Sequence, residues 1–264
     1  MAIGADEPTL DELMAELRRS HDRLVAVLAG LSDEQVAGLS YADDWSIAQV
    51  ASHLGSGVEI FTLFLDAGRR HTAAPGVEEF QPIWSRWNAK SPPEQGRDVV
   101  GADAKFVSAL EALTFEERAG WQLDMFGTAT SLAGLMRMRL GEHLLHTWDI
   151  AVALDPAATV PDVAAALIID TLPGLAARTG KPMPNPRPVY MITPHRTFVL
   201  EPTEDGVQLV PASAEPSEGS AQLRLPAEAF VRLVYGRLDA EHTPASVKAE
   251  GVDLADLRAT FPGF

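Results

Sequence analysis

Cysteine is absent from the 264 residues, which excludes a disulfide framework, a thiolate metal ligand and a cysteine nucleophile. Any metal has to be held by histidine and carboxylate, and any thiol chemistry has to use a thiol supplied from outside. Basic residues are scarce: 21 Lys and Arg stand against 37 Asp and Glu, a formal net charge of -16. That balance argues against nucleic-acid or anionic-membrane binding. No apolar run approaches the roughly 20 residues that span a bilayer. Met1–Glu7 is short and acidic, without a basic stretch before an apolar one, so we expect no secretory signal and a cytoplasmic protein. The remainder is ordinary for a globular chain, with 46% hydrophobic and 22% charged residues. The length suffices for one or two domains with sizeable cores.

The most informative stretch is residues 137–149, Arg-Met-Arg-Leu-Gly-Glu-His-Leu-Leu-His-Thr-Trp-Asp. It lacks proline, and its one glycine is flanked by strong helix formers, so it reads as helix. Residues four apart share a helix face, which brings Glu142 and His146 together; Asp149 returns to nearly the same angle. A carboxylate and an imidazole so placed can hold two corners of a divalent metal site. Such a pair is common on surface helices and becomes a site only with a third ligand.

From the start, Pro8 to Gly30 carries a helical apolar stripe that Thr9 or Asp11 can cap; His21 reads there as a helix-surface or packing residue. Ser32 to Val36 is a short helical turn. Ser46 fits an N-cap with Gln49 three residues on, a capping box, and Trp45 and Val50 occupy the staple positions. That helix is expected to run to about Asp66, with Gly68 just past its end. His53 sits at the edge of its buried stripe of Val50, Leu54, Val58, Phe61 and Leu65, a third ligand candidate on a second helix, and Gly57 leaves room beside it.

Further helices are expected over Glu79 to Ala89, ended by Ser91-Pro92-Pro93, over Asp98 to Leu113, and over Thr130 to Leu154, with Trp121 to Gly127 a connection. Four long helices in residues 1–155 are the content of a four-helix bundle. Residues 156–188 hold a fifth helix, Asp162 to Ala177, and a stiff proline-rich linker over 181–188. The periodicity then changes from 3.6 to 2. Strands are expected over Val189 to Thr193, Thr197 to Glu201, Val207 to Val210, Gln222 to Leu225 and Ser246 to Glu250, with helices over Pro226 to Tyr235 and Leu254 to Thr260. Residues 189–264 thus form a small α+β domain, and the fold class of the chain is α+β.

Four stretches carry a family resemblance. Trp45-Ser46-Ile47-Ala48-Gln49-Val50-Ala51-Ser52-His53-Leu54, followed by Glu142-x-x-x-His146-Thr147-Trp148-Asp149, resembles the mycothiol-dependent maleylpyruvate isomerases, a branch of the DinB-like metal-binding bundles. Leu233-Val234-Tyr235-Gly236-Arg237-Leu238 and the ending Phe261-Pro262-Gly263-Phe264 are similar to that family's second, sterol-carrier-like domain. The resemblance implies a divalent metal, zinc foremost, held by His53, Glu142 and His146 with a fourth position open. It implies mycothiol as the thiol cosubstrate and addition of its thiolate to a small electrophile, maleylpyruvate isomerising to fumarylpyruvate. It also makes Arg237 a catalytic arginine that pairs with an anionic substrate; read without it, Arg237 is a surface arginine after a helix.

Around these, Asp149 either orients a ligand imidazole or lies on the helix surface. His143 lies roughly 100° around the helix from Glu142, behind His146 as a ligand. Trp148 reads as core, and Arg139 as a source of positive charge for the site. Three functions stay open: a metal-dependent, mycothiol-using isomerase or S-transferase, a metallohydrolase using metal-bound water, and a non-catalytic small-ligand-binding protein. The expected partners are a small-molecule substrate and a low-molecular-weight thiol, in a monomer or homodimer.

Overall fold

The structure, a computed structural model, describes residues 7–42, 44–125 and 127–263. The readings of Met1 to Asp6 and of Phe264 therefore lie outside the described residues. The chain divides into two compact units, Pro8–Ala158 and Thr159–Phe264.

In the first unit four long helices, α1 (Leu10–Leu28), α3 (Ile47–Arg70), α5 (Pro92–Glu111) and α7 (Leu132–Leu154), form a bundle. Each packs against two neighbours: α1 and α3 both touch α5 and α7. Short α2 (Asp33–Ala37) and the twelve-residue α4 (Val77–Asn88) complete the helical layer beside α3 and α5. Thr9 caps α1, and Ser46 caps α3: Gln49 N donates to Ser46 Oγ at 3.2 Å and Ser46 N to Gln49 Oε1 at 2.8 Å. This reciprocal pair satisfies two backbone donors that a helix start leaves open. Val50, Leu54 and Val58 are fully buried along one face of α3, each worth about 1.5–3 kcal/mol of transfer free energy.

The helix boundaries differ from expectation at three places. α3 continues past Gly68 to Arg70 and ends on His71, which takes a left-handed conformation with φ 53°. Gly68 is instead a contact position, because a Cβ there would fall inside the Trp121 indole. Likewise, the atom nearest a Cβ at Gly57 is Arg139 Nη1, at 3.6 Å. Ser91-Pro92-Pro93 starts α5 as well as following α4: proline at the first helical position loses no intrahelical bond, and Ser91 N donates to Glu94 Oε2 at 2.8 Å. Residues 115–131, expected as part connection, form α6 (Phe115–Gly120) and an antiparallel hairpin of β1 (Gln122–Met125) and β2 (Thr128–Ser131). Leu123 and Met125 are buried and Gln122 and Asp124 exposed, an alternation too short to be read from sequence.

The second unit is built on a five-stranded sheet of order β5-β4-β3-β6-β7, from β3 (Val189–Ile192), β4 (Thr197–Pro202), β5 (Val207–Pro211), β6 (Ala221–Arg224) and β7 (Lys248–Glu250). The β3–β6 pair is parallel and the others antiparallel. Period-2 burial puts Val189, Met191, Phe198, Leu200, Leu209 and Leu223 inward. Phe198 meets Phe230 of α10 (Ala227–Val234) at 5.7 Å between ring centroids. The helix expected over Asp162 to Ala177 is broken into α8 (Asp162–Ile168) and α9 (Leu172–Thr179) by a 3-10 turn. Pro173, at the second position of α9, has no N–H with which to continue the earlier helix. Residues 181–188 are irregular, with Met183 buried and Asn185 Nδ2 donating to Asp256 Oδ2 at 2.6 Å. The last helix, α11, spans Leu254–Thr260. No helix among the described residues is long and apolar enough to cross a membrane.

Candidate metal centre

α3 and α7 bring His53, Glu142 and His146 together, with one ligand atom from each lying within 4.8 Å of the others. His53 Nε2 is 3.0 Å from Glu142 Oε2, and His146 Nε2 is 3.7 Å from the same oxygen. Two ligands each about 2.1 Å from a tetrahedral metal stand about 3.4 Å apart, so these separations suit a shared ion. The two imidazoles meet edge to face at 4.6 Å between centroids. Two nitrogens, one carboxylate oxygen and no thiolate form a donor set suited to zinc and other first-row divalent ions.

Behind the cluster, Asp149 is fully buried and its Oδ2 lies 2.8 Å from His146 Nδ1. Burial lowers the pKa of His146 despite this carboxylate. The ring is therefore neutral at pH 7, with its proton on Nδ1 and a lone pair on Nε2. Burial works against charge on Glu142 too, but the hydrogen bond from His53 and the nearby His146 and Arg139 outweigh it, and its pKa falls to about 2. The centre thus presents an anionic oxygen and a correctly tautomerised imidazole.

Deeper in the bundle lies a polar network that was not anticipated from sequence. Asp103 of α5 is 1% exposed and accepts from three sides: His21 Nδ1 at 2.9 Å, His143 Nε2 at 3.0 Å and Arg139 Nη2 at 2.7 Å. Ser20 Oγ completes the set, 2.8 Å from His143 Nδ1. Burial opposes ionisation of Asp103, yet its three donors hold its pKa well below the usual carboxylate range. His143 is pushed down by burial and stays neutral. His21 is thus a buried hydrogen-bonding partner, and Arg139 spends its charge chiefly on Asp103 while lending some to Glu142. One signal was available: Asp103 occupies the i+4 position after Val99 on the same stripe as Phe106, Val107 and Leu110, a charge on an apolar face.

Beside His53 opens a cleft of about 380 Å³, lined by Trp45, Gln49, Trp84, Asn88 and Gln95 together with His53 and Ser56, whose hydroxyl donates to the His53 carbonyl. Trp45 packs against the His53 ring at 5.5 Å between centroids, and Trp84 against Phe80 at 5.8 Å. Trp148 is core, as expected, with its indole N–H donated to the Ala158 carbonyl at 2.9 Å. Arg237 belongs to the other unit, where its Nη1 donates to the Tyr235 carbonyl at 2.9 Å.

A family model described as the mycothiol maleylpyruvate isomerase N-terminal domain matches residues 17–151, and one described as the MDMPI C-terminal domain matches residues 162–258. Among solved structures, the crystal structure of the mycothiol-dependent maleylpyruvate isomerase is similar with a TM-score of 0.62 at 12% identity, over 94% of this chain and 96% of that one. A histidine-to-alanine mutant of the mycothiol-dependent maleylpyruvate isomerase gives a TM-score of 0.66 at 12% identity over the same shares. At that identity the likeness is one of fold. No curated protein matches the sequence significantly.

Proposed function

The chain belongs to the mycothiol maleylpyruvate isomerase family, and from that premise we propose an enzyme that uses mycothiol to isomerise or thiolate a small electrophile with an activated double bond, of the maleylpyruvate type. His53, Glu142 and His146 would hold a divalent metal, zinc foremost. The observation that carries this reading is the convergence of those three side chains within 4.8 Å, from two helices. When bound, such a metal supplies a Lewis-acid centre at which a coordinated thiol loses its proton near neutral pH.

The chain's own residues divide the remaining work. Glu142 stays ionised and so offers a charged ligand rather than a neutral acid. Asp149 keeps the proton of His146 on Nδ1, which leaves Nε2 to face the cluster. Three protein ligands leave a position open, the pattern of catalytic rather than structural sites. Arg237, by the family resemblance, would pair with a carboxylate of the substrate through two parallel hydrogen bonds. On a chain with a net charge of -16, an anionic substrate needs such a local cation.

The test is metal analysis of the gently purified protein, then turnover of a panel of electrophiles with and without mycothiol. A stoichiometric metal, lost in His53→Ala and His146→Ala together with thiol-dependent turnover, is expected. Hydrolysis that proceeds equally well without any thiol would replace this reading with a metallohydrolase using bound water.

A further inference from the structure

The cleft beside His53 has a chemistry of its own. Its lining residues include no lysine, arginine, aspartate or glutamate. Five tryptophans occur in the chain. Trp87, Trp121 and Trp148 are buried and donate their indole N–H to Glu59, to the Leu65 carbonyl and to the Ala158 carbonyl. Trp45 and Trp84 differ: they are 40% and 39% exposed, both line the cleft, and neither N–H has a protein acceptor among the described residues.

Three amides share the same arrangement. Gln49 Oε1 accepts from Ser46 N, Asn88 Oδ1 from Ser52 Oγ at 3.2 Å, and Gln95 Nε2 donates to the Trp87 carbonyl at 3.1 Å. Each amide is thereby fixed at one end, and its other end has no protein partner among the described residues. The cleft thus offers two flat aromatic faces, two indole N–H donors, two amide NH₂ groups and one amide carbonyl. A sugar or cyclitol ring answers all of these together: its C–H faces stack on indoles, and its hydroxyls both donate and accept. A carboxylate would find no cation there, and an apolar group would leave the amides unpaired at a cost.

We propose that this cleft seats the neutral, polyhydroxylated part of the thiol, the glucosaminyl-inositol unit of mycothiol. The proposal rests on the function proposed above, and it assigns the substrate's carboxylates to some other part of the molecule. His53 belongs both to the cleft and to the ligand cluster, so a thiol whose sugar end lies against Trp45 and Trp84 has its sulfur end directed toward the cluster. A volume of about 380 Å³ falls within the range of small-molecule sites.

The probe is N-acetylglucosaminyl-inositol, which keeps the sugar and cyclitol but has no sulfur with which to reach a metal. Calorimetry and tryptophan fluorescence on the full-length protein should show it binding. In kinetics it should compete with mycothiol and not with the electrophile. Trp84→Ala should raise the KM for mycothiol roughly tenfold without raising that for the electrophile, and Trp84→Phe should recover much of the loss. Asn88→Ala should act in the same direction. Thiol-dependent turnover with no probe binding, or with a mycothiol KM unmoved in Trp84→Ala and Asn88→Ala, would overturn the assignment and leave the function standing. Probe binding without any thiol-dependent turnover would do the reverse.

Discussion

Asp149 holds the imidazole of His146 from behind, its Oδ2 lying 2.8 Å from Nδ1 in a fully buried position three residues further along α7. With that partner in place, the ring can present only Nε2 to the cluster. Removing it frees the tautomer and the ring orientation together. Asp149→Ala should weaken metal binding by about 10–100-fold, read by competition with a chromophoric chelator. Asp149→Asn retains an acceptor oxygen and should lose less. Equal affinity in wild type and Asp149→Ala would mean that packing alone orients His146.

Asp103 should set the acid limit of the first unit. Its pKa is depressed in the folded state, so its contribution to stability is present above its unfolded value, near 3.9, and is lost as pH falls through the folded value. His143 also has a depressed folded pKa, because burial disfavours its charge. The unfolded chain takes up that proton first, so stability begins to fall below about pH 6.5. Urea midpoints should therefore decline in two stages on acidification. Asp103→Ala leaves Arg139 buried without its carboxylate, a loss of about 3–5 kcal/mol, and it should flatten the stage below pH 4. An unchanged midpoint at pH 7 in that variant would show that the network contributes nothing net.

What could be read from the sequence and what could not divides along local against tertiary causes. The Ser46–Gln49 cap, the i, i+4 pairing of Glu142 with His146 and the alternation over β3 to β6 are properties of adjacent residues, and each appears where the pattern puts it. Asp103 shows in the sequence only as a charge on an apolar helix face, and no local pattern names its three partners, which come from α1 and α7, 36 to 82 residues away. Gly68 reads as a helix end because glycine punctuates helices, whereas in the fold it answers to Trp121 from another segment. The place of Trp84 in the cleft is decided by the packing of α4 on α3, which no local pattern shows.

Glycines inside the helices give a paired test of packing. At Gly101 of α5 an added Cβ meets nothing within 4 Å, so Gly101→Ala should stabilise by up to about 1 kcal/mol through helix propensity. At Gly68 the same methyl would collide with the Trp121 indole, and overpacking of about 1–3 kcal/mol should outweigh that gain. Urea unfolding of the two variants should move in opposite directions. A stabilised Gly68→Ala would mean that Trp121 has an alternative seat.

Arg237 follows a turn that only glycine fits: Gly236 has φ +72°, and a Cβ there would run into the backbone of Gly263. The carbonyl of Arg237 accepts from Arg232 Nη1 at 3.4 Å, and Arg232 is itself bound to Glu228 within α10. The backbone carrying this guanidinium is thus positioned by buried charges rather than left to a loose surface loop. If Arg237 grips a substrate carboxylate in a desolvated pair, breaking that contact costs about 2–5 kcal/mol, whereas an exposed pair is worth under about 1 kcal/mol. Lysine keeps the charge but not the fork of parallel donors. Arg237→Lys should therefore retain the fold and the metal content and lose more than about tenfold in kcat/KM for an anionic electrophile, with a smaller loss for a neutral one. Equal kcat/KM for both electrophiles in wild type, Arg237→Lys and Arg237→Ala would return this arginine to the status of a surface residue.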